Sequence, residues 1–197
     1  MDGIIVQGSE AGGRGMALGV GAMALLPQVA DAVDPIPVLA AGGVADGRGL
    51  AAALVLGAQG ADVGTRFLAS EEASVDGVWK RTILQSESED VVKVEAWEVI
   101  FPPAGGGAYA TVPRVLGTAF VEEWWGHIRE ARREAERLRE VVLSAIRGRI
   151  THELLPFTGQ TAGLVHDILP ARELVERMVS EAELALTRAA ALRSPSA

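Results

Sequence analysis

Residues 35–70 read PIPVLAAGGVADGRGLAAALVLGAQGADVGTRFLAS. Two apolar runs, PIPVLAAGG and GADVGTRFLAS, flank the segment GRGLAAALVLGA. Each run contains a glycine step: Gly42 with Gly43 in the first, Gly64 with Thr65 in the second. The runs have the length of buried strands, and the segment between them is rich in helix formers. Strand, helix and strand in succession predict parallel strands with a helical crossover.

The pattern extends both ways. GIIVQG, residues 3–8, is another short apolar run, followed by a Gly-rich turn and then MALLPQVADAV, which reads as a helix. EEASVDGVWKRTIL, residues 71–84, reads as a helix after the third run. Three strand–loop–helix units predict an α/β fold with a parallel sheet, either doubly wound or an eight-stranded barrel. Both strand faces look apolar, which suits a sheet covered by helices on both sides.

The remainder differs. SESEDVVKVEAWEVIF reads as β-rich and PPAGGGAYATVP as a loop. FVEEWWGHIREARREAERLREVVLSAIRGR reads as one helix, with Trp124, Ile128, Ala131, Ala135, Leu138, Val142 and Ala145 on its apolar face. LLPFTGQTAGLVHDILP is a loop with a short apolar element, ARELVERMVSEAELALTRAAAL a closing amphipathic helix, and RSPSA a frayed tail. No clear linker divides the chain.

Composition narrows the function. The 197 residues carry a net charge of −8, which argues against a nucleic-acid groove. No apolar run reaches the ~20 residues of a membrane helix, and no secretory signal is visible. With no cysteine, disulfides, thiolate metal sites and Cys nucleophiles are excluded. A cytoplasmic protein without a membrane or nucleic-acid partner is expected. No His/Asp/Glu spacing suggests a metal site.

The glycine steps suggest a ligand. Parallel sheets bind ligands at the carboxyl ends of their strands. Glycine lets the backbone approach a phosphate closely, exposed N–H groups donate to its oxygens, and the Thr65 hydroxyl adds a donor. Tight turns without a ligand are the alternative. A rival pattern, GVGAMA at residues 19–24, fits G-x-G-x-x-A but does not directly follow an expected strand.

The segments IIVQGSEAGG, MALLPQVADAV, IPVLAAGGVADGRGLAAALVLGAQGADVGTRFLASEE and TGQTAGLVHDILPARELVERMVSEAE resemble the nitronate monooxygenases, formerly called 2-nitropropane dioxygenases. Flavin-dependent enoyl-acyl carrier protein reductases share this framework. The resemblance covers most of the chain and is strongest over residues 3–72. It implies a partial (β/α)8 TIM barrel: the last three strand–helix units in residues 1–85, then a β-rich excursion and helical extension in residues 86–197 packed on it. It implies FMN as cofactor. By matching position, Gln7 and Gly12 lie along the flavin, while Gly42, Gly43, Val63, Gly64 and Thr65 hold its phosphate. The implied reaction oxidises alkyl nitronates with dioxygen.

Two features depart from that pattern. The family motif reads E-A-G-G-H with the histidine beside the substrate; here Glu10, Ala11, Gly12 and Gly13 are followed by Arg14. Either Arg14 replaces the histidine, or the histidine is deleted and Arg14 is its usual neighbour. A neutral imidazole can take an α-proton, whereas a guanidinium cannot and can only attract an anion. Arg14 is therefore the candidate catalytic position, for holding a preformed nitronate, with an idle, solvent-facing Arg14 as the alternative. His127, His152 and His166 read as structural or exposed. The second departure is length: a barrel needs eight strands and about 250 residues. An incomplete gene product, a misplaced start and a half-barrel completed by another chain all stay open, as do an enoyl reductase-like enzyme and a non-catalytic subunit.

Overall fold

The computed structural model describes residues 2–102 and 111–192. Strand β1 (Ile4–Gln7) leads through a short strand β2 (Gly13–Met16) to helix α1 (Ala22–Val33). Then come β3 (Val38–Ala41), α2 (Gly47–Val55), β4 (Gly60–Asp62), α3 (Thr65–Leu68) and α4 (Gly77–Gln85). Next are β5 (Val91–Lys93), α5 (Trp97–Ile100), β6 (Thr111–Leu116), α6 (Ala119–Trp124) and α7 (Ile128–Arg133). The last helices are α8 (Ala135–Gly148), α9 (Thr151–Leu154) and α10 (Ala171–Ala191). Most of the expected loop at residues 102–113 and the expected tail at 193–197 lie outside the described residues.

The three expected strands form one parallel sheet in the order β1-β3-β4. Gln7 pairs with Ala41 and Ala41 with Asp62, so the carboxyl ends of all three strands lie level. Neighbouring strands are about 4.8 Å apart, which brings the loops after them together. Val6, Val38 and Ala40 are buried with Leu26 of α1, Ala53 of α2 and Met178 of α10. The other face differs from expectation: Ile5 is 57 % and Leu39 37 % exposed. Side chains alternate along a strand, and α1, α2 and α10 all cover the even-numbered face of β1 and β3.

A second sheet, antiparallel in the order β2-β6-β5, was not apparent in the sequence. The expected Gly-rich turn contains β2, whose Gly13 and Met16 pair with Arg114 and Thr111. Residues 13–16 thus tie the first half of the chain to the second. The β-rich reading of residues 86–101 is corrected too. Only Val91–Lys93 is extended there, because Val94, Trp97 and Ile100 recur every third residue and close into a helical turn.

The expected long helix at residues 120–149 is three helices. Gly126 has φ +75°, a conformation no helix continues through. The breaks carry the chain around α5, so that Trp124, Ala131, Leu138 and Val142 meet Trp97 and Ile100 in one cluster. Ile128 and Ala135 are only half-buried. The helix expected from residue 71 starts at Gly77, where Asp76 accepts the Val78 N–H at 2.6 Å as N-cap. Such a cap contributes about 1 kcal/mol. Among the described residues, no helix is long and apolar enough to cross a membrane.

Candidate functional site

A cavity of about 290 Å³ opens at the carboxyl ends of the parallel strands. Gln7 ends β1, Gly42 follows β3, and Gly64 and Thr65 follow β4; all four line it, together with Gly12. Five of the seven expected cofactor residues therefore share one cavity. Gly43 instead faces a smaller cavity with Glu10 and Gly49, and Val63 packs against the apolar core.

The wall is formed by closely packed backbone with free donors. Gly42 has φ +81°, and a Cβ there would lie 2.7 Å from the Ala11 nitrogen, so the loop can only pass Ala11 as glycine. At Gly64, with φ −88°, a Cβ would meet nothing within 4 Å, so open space stands beside its backbone. Among the described residues, the N–H groups of Gly42, Gly43 and Gly64 donate to no protein acceptor. Such donors must be satisfied by water or ligand. The buried Thr65 hydroxyl accepts the Gly159 N–H at 2.8 Å, leaving its own O–H to donate.

The helix starts nearby are not free. The first turn of α2 is held by carboxylates: Glu181 accepts the Gly47 N–H at 3.0 Å, and Asp46 accepts those of Arg48 and Gly49 at 2.9 and 3.1 Å. Burial works against the Asp46 charge, but the Arg48 side chain and these N–H groups outweigh it and hold the carboxyl below its usual range. The unpartnered N–H groups at this end of the sheet therefore belong to the loops, not to the start of α2. The rival GVGAMA pattern fails for a related reason. Strand β2 precedes it but belongs to the antiparallel sheet, and the Ala22 N–H that opens α1 donates to both Glu10 carboxylate oxygens at 2.9 and 3.0 Å.

Residues 157–161 close the cavity. Phe157, Gly159 and Thr161 line it, although none was a sequence candidate. The Gln160 N–H donates to the Glu10 carbonyl at 2.9 Å, and the Thr158 N–H to that of Arg114 at 3.2 Å. Arg114 is itself buried and donates to the carbonyls of Ser9 and Val91, each at 2.9 Å. Burial pushes its pKa down while Glu10 opposes that shift; a guanidinium stays charged regardless. Only its sequence neighbourhood, a charged residue inside an apolar strand, could have signalled it.

Arg14 stands apart from the cavity lining. It is exposed on β2, donates to the Thr111 hydroxyl at 2.9 Å, and its guanidinium lies 5.9 Å from the Trp97 ring centroid. Its carbonyl accepts the Gln7 amide N–H at 3.2 Å, so its backbone, not its side chain, adjoins the cavity. The histidines are also elsewhere. The His127 ring bonds the Glu123 carbonyl, His152 lies 3.7 Å from Asp76, and His166 lines a different cavity against α10.

The family model described as nitronate monooxygenase matches residues 1–181. Rv1533 of Mycobacterium tuberculosis, described as a monooxygenase, is 37 % identical over 191 residues, which are 92 % of this chain and 48 % of that protein. Among solved structures, FabK of Thermotoga maritima superposes with a TM-score of 0.80 at 31 % identity, over 96 % of this chain and 57 % of that one. The nitroalkane oxidase of Streptomyces ansochromogenes does so with a TM-score of 0.75 at 30 % identity, over 95 % and 53 %. The chain spans about half the length of each.

Proposed function

Because the chain belongs to the nitronate monooxygenase family, we propose that it forms the cofactor-holding part of an FMN-dependent oxidoreductase. The observation that carries this reading is the meeting of unpartnered glycine N–H groups from two neighbouring strand ends on one cavity. Gly42 and Gly64 are the phosphate donors, with the Thr65 hydroxyl beside them, Gly43 shaping the turn from the adjoining cavity and Val63 supporting the loop from the core. Gln7 and Gly12 lie along the ring system. FMN, when bound there, supplies the two-electron redox chemistry, while the chain supplies orientation and electrostatics. The proposed substrates are a small anionic nitronate and dioxygen, and the setting is cytoplasmic.

The finer architecture is part of the same proposal. Residues 1–85 act as the last three strand–helix units of a (β/α)8 barrel, and residues 86–197 pack on them as an extension. The exposed Ile5 and Leu39 then face the barrel interior, and further strands pair with the edge of the sheet, from the same polypeptide or from another chain. Met16, Leu18 and Val20, also exposed, border the same region in sequence.

For Arg14 the proposal is limited to drawing an anion toward the rim, since a guanidinium takes no proton. The absence of a histidine after Gly13, where Arg14 stands, favours a second reading, a subunit that binds the cofactor without turnover. Purified protein decides between them. A flavin absorption band with oxygen uptake on adding propionate 3-nitronate supports the enzyme. A flavin band without uptake supports the silent subunit, and a colourless protein refutes both. Oxidation of a nicotinamide by an enoyl thioester would identify an enoyl reductase instead. With turnover present, Arg14→His is expected to raise the rate on neutral nitroalkanes relative to their anions; an unchanged ratio removes Arg14 from the site.

A further inference from the structure

Consecutive residues of the two glycine loops face different cavities. Val44 and Thr65 line the cofactor cavity, while their neighbours Ala45 and Arg66 line a second one, also about 290 Å³, against α10. That second cavity is walled by ionic side chains already engaged with one another. Arg66, with a side chain only 5 % exposed, pairs with the Asp167 carboxylate and donates to the Asp167 carbonyl at 2.8 Å. Arg177 of α10 donates to the other Asp167 oxygen at 2.8 Å and to Glu181 at 2.9 Å. Glu181 then accepts the Gly47 N–H. One run of hydrogen bonds thus leads from the residue after Thr65 to the start of α2, just past Gly43.

The backbones meet closely at the far end of this run. A Cβ on Gly47 would lie 2.3 Å from the Ala182 nitrogen, so α10 crosses α2 where only glycine fits. The Gly47 N–H foremost, then Arg177, hold the Glu181 carboxyl below its usual range against burial, which keeps it ionised at neutral pH. Hydrogen bonds from the half-exposed Arg177 to Glu181 and Asp167 hold its guanidinium above its usual range in turn. Charge-assisted bonds of this kind are roughly twice as strong as neutral ones and hold side chains in fixed geometry.

We propose that Arg66, Asp167, Arg177 and Glu181 form a strap that fixes the spacing of the two phosphate-holding loops, with Glu181 as its positioning residue. The inference rests on the FMN reading above. Neither loop binds the phosphate well alone, and donors displaced by about 1 Å lose much of their effect. Helix α10 therefore sets affinity for the phosphate end of the ligand without touching it.

The test compares FMN with riboflavin, which lacks the phosphate, by quenching of flavin fluorescence. Glu181→Ala is expected to weaken FMN about tenfold and leave riboflavin affinity unchanged. Glu181→Gln, which keeps an acceptor for Gly47, recovers most of the loss, and Glu183→Ala, on an exposed position of the same helix, changes neither ligand. Equal losses for both flavins, or no loss for either, overturn the strap. Amide exchange of the ligand-free protein gives a readout that does not need FMN. Faster exchange at residues 42–47 in Glu181→Ala, with α1 and α8 unaffected, supports the strap, and unchanged exchange there overturns it. If the wild type binds no FMN, the cofactor reading fails, and the exchange result still decides the strap.

Discussion

Glu10 shows how a single residue changes meaning once its neighbours are placed. In sequence it only opens the stretch Glu10-Ala11-Gly12-Gly13-Arg14, with no role of its own. In the structure its carboxylate closes the first turn of α1, and its carbonyl anchors residue 160. The glycines around it separate by backbone conformation. Gly42 combines positive φ with a crowded Cβ position, and Gly64 has neither. Gly42→Ala is therefore expected to cost about 2–3 kcal/mol of stability, while Gly64→Ala stays within about 0.5 kcal/mol. Urea unfolding of both variants checks this, and equal costs would contradict the loop geometry. The glycine steps at residues 42–43 and 64–65 were visible in the sequence as punctuation at the ends of expected strands, and at Gly42 and Gly43 the positive φ is what selects glycine. Gly159 and Thr161 were not visible, because their nearness to Thr65 is a matter of tertiary path alone.

At the scale of elements, periodicity identified what was buried better than how the chain was broken. Trp124, Ala131, Leu138, Val142 and Ala145 are all buried, as their spacing requires, yet they belong to three helices. A seven-residue recurrence of apolar groups survives a break whenever the pieces wrap a common core. Gly126 gives a sign test. In an unbroken helix, Gly→Ala stabilises by up to ~1 kcal/mol. At φ +75°, with nothing near the added Cβ, the same change costs about 1–2 kcal/mol. Thermal unfolding of Gly126→Ala thus separates one helix from three. Strand β2 was invisible for a different reason. Its four residues, GRGM, lack any strand composition and are extended only because β6 pairs with them.

At the scale of the whole molecule, one sheet face is covered and the other is not. Helices α1, α2 and α10 cover the face carrying Val6, Val38 and Ala40, while Ile5 and Leu39 are left to solvent. Leu18, 97 % exposed in the segment that leads into α1, and Met23 in the first turn of that helix add apolar surface. Exposed apolar surface of this kind binds apolar dyes or partners. The isolated chain is expected to enhance anilinonaphthalene sulfonate fluorescence and to assemble as its concentration rises. Replacing Ile5 and Leu18 together by Lys should reduce both effects without lowering the unfolding temperature. Dye binding that the double variant leaves unchanged would place the apolar surface elsewhere.

The sequence by itself determined the strand–helix alternation, the parallel sheet and the glycine steps at the ends of β3 and β4. Those features are local: they follow from side-chain period and from the conformations glycine alone adopts. Tertiary structure decided the rest. It chose which sheet face the helices cover, drew residues 13–16 into a second sheet, and set residues 157–161 against Thr65. It also bonded Arg66 to Asp167, 101 positions on, and Gly47 to Glu181, 134 positions on, with Arg177 between the two carboxylates. A charge in a sequence has many possible partners, and only packing brings one of them within hydrogen-bonding distance.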